Sequence, residues 1–169
     1  VILESVPSEK SGVLVTADID QGDQGKMLIA TSEGVGGAVD GTPAETVLWS
    51  PDGTELVTMF KSPWRRLLGP DGGSKIVPST GKSYVLDDRE IAELTKAGAQ
   101  VRDRLEPARN GEGEPRPWDI EFGFSGGRLW LFQSRPFLGN DEVQNLPALA
   151  ALDGDDADAG GSVSLEEKL

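Results

Sequence analysis

With no histidine and no cysteine, this 169-residue chain must do any chemistry with carboxylates, amides, arginines and backbone N–H groups. Disulfides, thiolate or imidazole metal sites, Ser-His-Asp and Cys-His nucleophiles, and a phosphohistidine carried on this chain are all excluded. The densest set of remaining groups lies in Trp118-Asp-Ile-Glu-Phe-Gly-Phe-Ser-Gly-Gly-Arg-Leu-Trp-Leu-Phe-Gln-Ser-Arg-Pro136. Read as a β-hairpin, its first strand sends Asp119, Glu121 and Gly123 to one face and Ile120, Phe122 and Phe124 to the other. A three-residue loop, Ser125–Gly127, with Gly127 in the left-handed position, pairs Phe124 with Arg128, Glu121 with Leu131 and Asp119 with Gln133. Asp119, Glu121, Gln133 and Arg135 then share a side, next to Leu129 and Leu131. A two-residue Gly126-Gly127 turn would send Gln133 and Arg135 to the opposite face, because a one-residue slip inverts the pleat.

Two carboxylates and an amide oxygen are hard ligands of the kind Mg²⁺ takes, and that ion is usually shared with substrate phosphates. The planar fork of Arg135 suits a phosphate oxygen. A Mg-nucleotide site is one reading of this face; a solvent-facing edge whose charges pair locally is the other. A glycosidase pair is disfavoured, since carboxylates two apart on one strand point the same way and cannot flank a sugar.

The elements that must position this hairpin follow from patterning. Apolar, β-branched runs at 12–19 and 26–31 flank the polar turn 20–25, and runs at 45–50 and 55–60 flank Pro51-Asp52-Gly53, so two further hairpins are expected. Short strands are expected near 75–77 and 83–86. From Asp88 to about Leu105, Ile91, Leu94, Ala97, Val101 and Leu105 recur at helical spacing, and Asp87 with Glu90 forms a capping box. The fold class is therefore α+β: an antiparallel sheet with one main helix packed on it. Gly34–Gly41 is neither a Walker nor a dinucleotide fingerprint. Lys61, Arg65 and Arg66 could meet a phosphate or shield Trp64.

The formal charge is −13. Residues 141–169 hold eight acids against Lys168, leaving −6 for residues 1–140. Neither part offers a basic field, so nucleic acid and anionic membranes are not expected partners. No apolar run approaches the ~20 residues of a membrane span, and a cytoplasmic location is expected. Residues 1–138 read as one domain and 139–169 as an acidic linker or disordered tail. The opening at Val1, just ahead of a strand-like run, suggests a piece of a longer polypeptide.

Asp119-Ile-Glu-Phe together with Leu129-Trp-Leu-Phe-Gln-Ser-Arg-Pro136 resembles the end of the nucleotide-binding domain of the phosphoenolpyruvate synthase and pyruvate phosphate dikinase family. Ser11-Gly-Val-Leu-Val-Thr16 and Glu33-Gly-Val-Gly-Gly-Ala-Val39 resemble two further segments of that family, in the same order. The resemblance spans about residues 8–138 and implies the C-terminal subdomain of an ATP-grasp fold, with ATP and Mg²⁺ as cofactors. It implies Glu121 and Gln133 as Mg²⁺ ligands with help from Asp119, and Arg135 on the terminal phosphates. It further implies Glu33 near the sugar or base, and the Ser11-Gly12-Val13 backbone near the γ-phosphate. The implied partners are the other ATP-grasp subdomain and a phosphohistidine carrier domain, both outside this chain, with pyruvate as a candidate final acceptor. The chain departs from the family where Thr16 is followed by Ala17-Asp18-Ile19 instead of Arg-Asp-Pro. Without the lysine- and arginine-bearing first subdomain, the chain alone is expected to be inactive. The competing reading is a β-rich interaction or regulatory module that keeps the fold without catalysis.

Overall fold

The computed structural model describes residues 5–39, 41, 43–59 and 61–138. The chain divides after Phe137, and the first unit holds every element named below. The acidic tail expected over 139–169, and the strand end expected at Phe60, lie outside the described residues.

Six strands form one antiparallel sheet: β1 (Lys10–Val15), β2 (Met27–Glu33), β3 (Glu45–Ser50), β4 (Gly53–Thr58), β7 (Trp118–Ser125) and β8 (Arg128–Pro136), in the order β4-β3-β2-β1-β7-β8. Between β4 and β7 the chain makes a separate two-stranded ribbon, β5 (Trp64–Leu68) with β6 (Ser74–Pro78), and then helix α1 (Asp88–Arg104). An α+β class with a mostly antiparallel sheet and one helix is thus observed. No helix among the described residues is long and apolar enough to cross a membrane.

The sheet alternates as its sequence demands. Leu14, Met27, Ile29, Val47, Ile120, Phe122 and Phe124 point to the face covered by α1, where they form the core with Ile91 and Leu94. Truncating a fully buried member such as Leu94 or Ile120 to Ala removes about 2–5 kcal/mol of stability. Asp87 caps α1 by accepting from the Glu90 N–H at 2.8 Å, while Glu90 accepts from the Asp87 N–H at 2.9 Å, the reciprocal box expected. Glu90 also pairs with Lys10 Nζ, tying the helix start to β1.

Three expectations are corrected. The buried helical stripe runs through Ile91, Leu94, Thr95 and Gly98; the expected Val101 packs half-buried against the core, Ala97 is half-buried, and Leu105 is exposed. Gly98 decides this: a Cβ there would lie 2.7 Å from Leu14 Cδ2, so the helix approaches the sheet at a residue with no side chain. No strand forms at 83–86. The buried carboxylate of Glu45 takes the Val85 N–H at 2.9 Å and the Leu86 N–H at 3.2 Å, so a side chain replaces the ladder. Arg65 and Arg66 of the basic cluster lie in a strand, β5, and Trp64 remains 56% exposed, so its neighbours do not shield it.

Candidate functional site

The β7–β8 hairpin closes through Gly126-Gly127 alone, with Ser125 opposite Arg128. Both glycines have positive φ, 59° and 72°, as a type I′ turn requires. This corrects the three-residue loop. A two-residue turn puts Leu129 opposite Phe124 and Leu131 opposite Phe122, on the core face, so these leucines do not border the polar cluster. The register then shifts between Phe122 and Glu121, and Phe132 is left as an extra residue. That β-bulge returns Gln133 to the position opposite Glu121 and Arg135 to the position opposite Asp119. The four polar residues meet on one face by two compensating departures from a regular hairpin.

Within the cluster Arg135 Nε donates to Asp119 Oδ2 at 2.8 Å. The hydrogen bond and charge of Asp119, and more weakly the charge of Glu121, raise the Arg135 pKa above its ordinary value. The Arg135 side chain is nonetheless 56% exposed, and its other guanidinium N–H groups are donors suited to an incoming anion. Asp119 is 8% exposed, and its second oxygen, Oδ1, is buried with no hydrogen-bond partner. A buried carboxylate oxygen without a donor is costly unless something positive completes it. Hard donors from Glu121 and Gln133 on the same face make a divalent cation a chemically suitable complement. No group of three or more acidic side chains able to hold a metal exists among the described residues. An ion held here would therefore need oxygens from the amide, water or a ligand.

The other expected residues distribute differently. Val13 lies opposite Glu121 and Ser11 opposite Gly123 on the central strand β1, so both extend the polar face. Gly12 alternates to the core face, and a Cβ on it would meet the Ala30 carbonyl oxygen and the Phe122 ring. The Ser11 hydroxyl donates to the Gly34 carbonyl at 2.8 Å. Glu33 lies opposite Lys10, in the row that includes Phe124, so it points to the other face from Glu121. Its carboxylate accepts from the Thr80 N–H at 2.8 Å and the Thr80 hydroxyl at 2.6 Å, with Arg65 Nε 3.8 Å away. The structure thus gathers Asp119, Glu121, Gln133, Arg135 and Val13 and leaves Glu33 apart.

The cluster lies on an open face rather than in a closed pocket. Val13, Ala30, Leu28 and Leu48 share this face by register and are only half-buried. A cavity of about 550 Å³ opens on the helix side, lined by residues that include Glu45, Leu56, Tyr84 and Ile91, and it contains none of the four polar residues. This cavity and the polar cluster are therefore on different sides of the sheet, and the geometry of donors favours the open face.

Comparison with known proteins shows the family of the chain. Residues 1–152 match the family model described as pyruvate phosphate dikinase, AMP/ATP-binding domain. The chain belongs to that family. It is 29% identical over 153 residues to phosphoenolpyruvate synthase of Pyrococcus furiosus, covering 80% of this chain and 17% of that protein. It is 27% identical over 143 residues to a probable phosphoenolpyruvate synthase of Archaeoglobus fulgidus, covering 80% of this chain and 18% of that protein. The chain thus spans less than a fifth of the length of these relatives. Membership makes this an AMP/ATP-binding domain and supports ATP as its ligand.

Sequence reasoning missed Phe132. The signal was present in Leu129-Trp-Leu-Phe132, four apolar residues in a row that no strictly alternating strand could bury on one face.

Proposed function

We propose that this chain is the magnesium–ATP half of an ATP-grasp-type clamp in a phosphoenolpyruvate synthase-like phosphotransferase. In that clamp it would serve ATP-dependent phosphorylation of a histidine on a carrier domain outside these residues. The observation that carries the reading is the pairing of Glu121 with Gln133 beside the Asp119–Arg135 ion pair on one open face. Bound Mg²⁺ would neutralise phosphate charge and hold the terminal phosphates in line.

In this proposal Glu121 and Gln133 would hold the ion, with the Asp119 carboxylate adding negative charge beside them. Arg135, oriented by Asp119, donates its outer N–H groups to the terminal phosphates. Val13 lies beside the γ-phosphate and forms apolar floor next to Glu121, whereas Ser11 sits farther from Arg135, opposite Gly123, with its hydroxyl donating to the Gly34 carbonyl, and the proposal does not use it. A contact from Glu33 to the sugar or base would have to come from the other face of the sheet, and the proposal does not use it. Residues 139–169 act as a linker in this reading, and pyruvate is the candidate final acceptor.

Phosphoryl transfer depends on positioning and charge stabilisation from all sides of the triphosphate. One open face supplies only part of these. The isolated chain is therefore expected to bind ATP weakly and to form no phosphohistidine and no appreciable ADP. Sustained ATPase turnover by the isolated chain would overturn the half-clamp reading.

A further inference from the structure

Phe132 is the extra residue of the β7–β8 bulge, and its ring lies over Gly123 on the face that carries Glu121. A Cβ at Gly123 would come within 2.8 Å of the Phe132 ring and would also collide with the Ser8 hydroxyl, so the glycine makes the space into which the ring settles. The ring is not absorbed into the core: Phe132 remains 44% exposed. Trp130, directly opposite Gly123, is half-buried, with the Arg128 guanidinium 4.6 Å from its ring centroid. An interrupted ladder and a glycine inside a strand both weaken the sheet, and bulges occur where a side chain must be re-aimed beside a site. Here the bulge does two things at once. It restores Gln133 and Arg135 to the polar face, and it displays an aromatic face next to them.

Resting on the reading of the polar cluster as a metal–triphosphate site, we propose that Phe132 is the platform on which the nucleobase of the bound nucleotide stacks. Phe132 and Arg135 are three residues apart, about 10 Å along an extended strand. Ribose and the α-phosphate separate the base of a nucleoside triphosphate from its terminal phosphates, so one molecule can lie along β8. Its base would rest on Phe132 toward the hairpin turn, and its phosphates would reach Arg135. A half-exposed ring beside a polar cluster is chemically suited to a flat π-system, and such stacking tolerates any base. Phe132 is thus a positioning residue, supplying affinity for the nucleoside part and placing the phosphates over Glu121 and Gln133.

The test is a ¹H–¹⁵N and aromatic NMR titration of the 169-residue chain with millimolar Mg-ATP and, separately, Mg-tripolyphosphate. Both ligands should shift the amides of Glu121, Gln133 and Arg135, and only ATP should shift the Phe132 ring, the Gly123 amide and the Trp130 indole. Phe132→Ala should weaken ATP about tenfold and leave tripolyphosphate unchanged, while Phe132→Tyr should restore ATP binding. If both ligands shift the polar cluster but ATP leaves Phe132 and Gly123 where tripolyphosphate leaves them, the platform is refuted and the metal–phosphate reading stands. If neither ligand moves the cluster, both are refuted.

Discussion

Arg135 and Asp119 face each other across β7 and β8, joined by one hydrogen bond of 2.8 Å, while the neighbouring pair on the same face is Glu121 with Gln133. The cation and the metal-type ligands are therefore adjacent but distinct. The hydrogen bond fixes Arg135 through its Nε, and the Arg135 side chain stays largely exposed while Asp119 is nearly buried.

Asp119→Asn removes the charge that orients Arg135 without changing side-chain size. The expected result is a loss of about tenfold or more in Mg-ATP affinity, the usual cost of weakening a charged hydrogen bond, with an unchanged far-UV circular dichroism spectrum. Isothermal calorimetry on the full-length enzyme proposed above reads the affinity. An Asn variant binding as tightly as wild type would show that Arg135 does not depend on Asp119.

The turn and the bulge can be separated. Gly126→Ala or Gly127→Ala places a Cβ at positive φ and should cost about 1–2 kcal/mol, read from the midpoint of urea unfolding. Gly126→Asn, which suits a type I′ turn, should be close to neutral. Deleting Phe132 removes the bulge while leaving Gln133 opposite Glu121 and Arg135 opposite Asp119, because only the unpaired residue is lost. The deletion should therefore keep magnesium-dependent ATP binding, weakened about as much as in Phe132→Ala; complete loss of binding in the deletion alone would contradict this register.

Glu45 supports the chain on the helix side. It is 2% exposed, and its carboxylate takes the Val85 and Leu86 N–H groups in place of a strand partner. Glu45→Gln turns one acceptor into a donor aimed at those same N–H groups. A loss of about 1–3 kcal/mol in chemical unfolding is expected, with faster amide hydrogen exchange at Val85 and Leu86.

Much of this arrangement was legible in the sequence for physical reasons. Period-two alternation in Trp118–Phe124 assigned Asp119 and Glu121 to one face, and the spacing of Ile91 and Leu94 with the Asp87–Glu90 box located the helix. What was hidden depended on choices with nearly equal local energy. Ser125-Gly126-Gly127 can close a hairpin with two residues or three, and the polar residues share a face only when loop length and bulge are counted together. Strand β5 was obscured because Lys61-Ser-Pro-Trp-Arg-Arg66 has no apolar alternation; it forms through pairing with β6 and a parallel bridge from Arg66 to Gly34. The 83–86 segment reads as strand from its composition, yet the Val85 and Leu86 N–H groups are taken by a carboxylate about forty residues away in the chain. Glu33 was placed by its motif, and only the register with Lys10 reveals that it faces away from Glu121.

The central claim is that Glu121 and Gln133 hold a cation shared with the phosphates of ATP. It is tested most directly by titrating ATP into the full-length enzyme with and without Mg²⁺, for the wild type and for Glu121→Gln. The account predicts tight binding that needs Mg²⁺ in the wild type and a loss of that magnesium dependence, with at least about tenfold weaker binding, in Glu121→Gln. Equal magnesium-dependent affinity in the two proteins would contradict it.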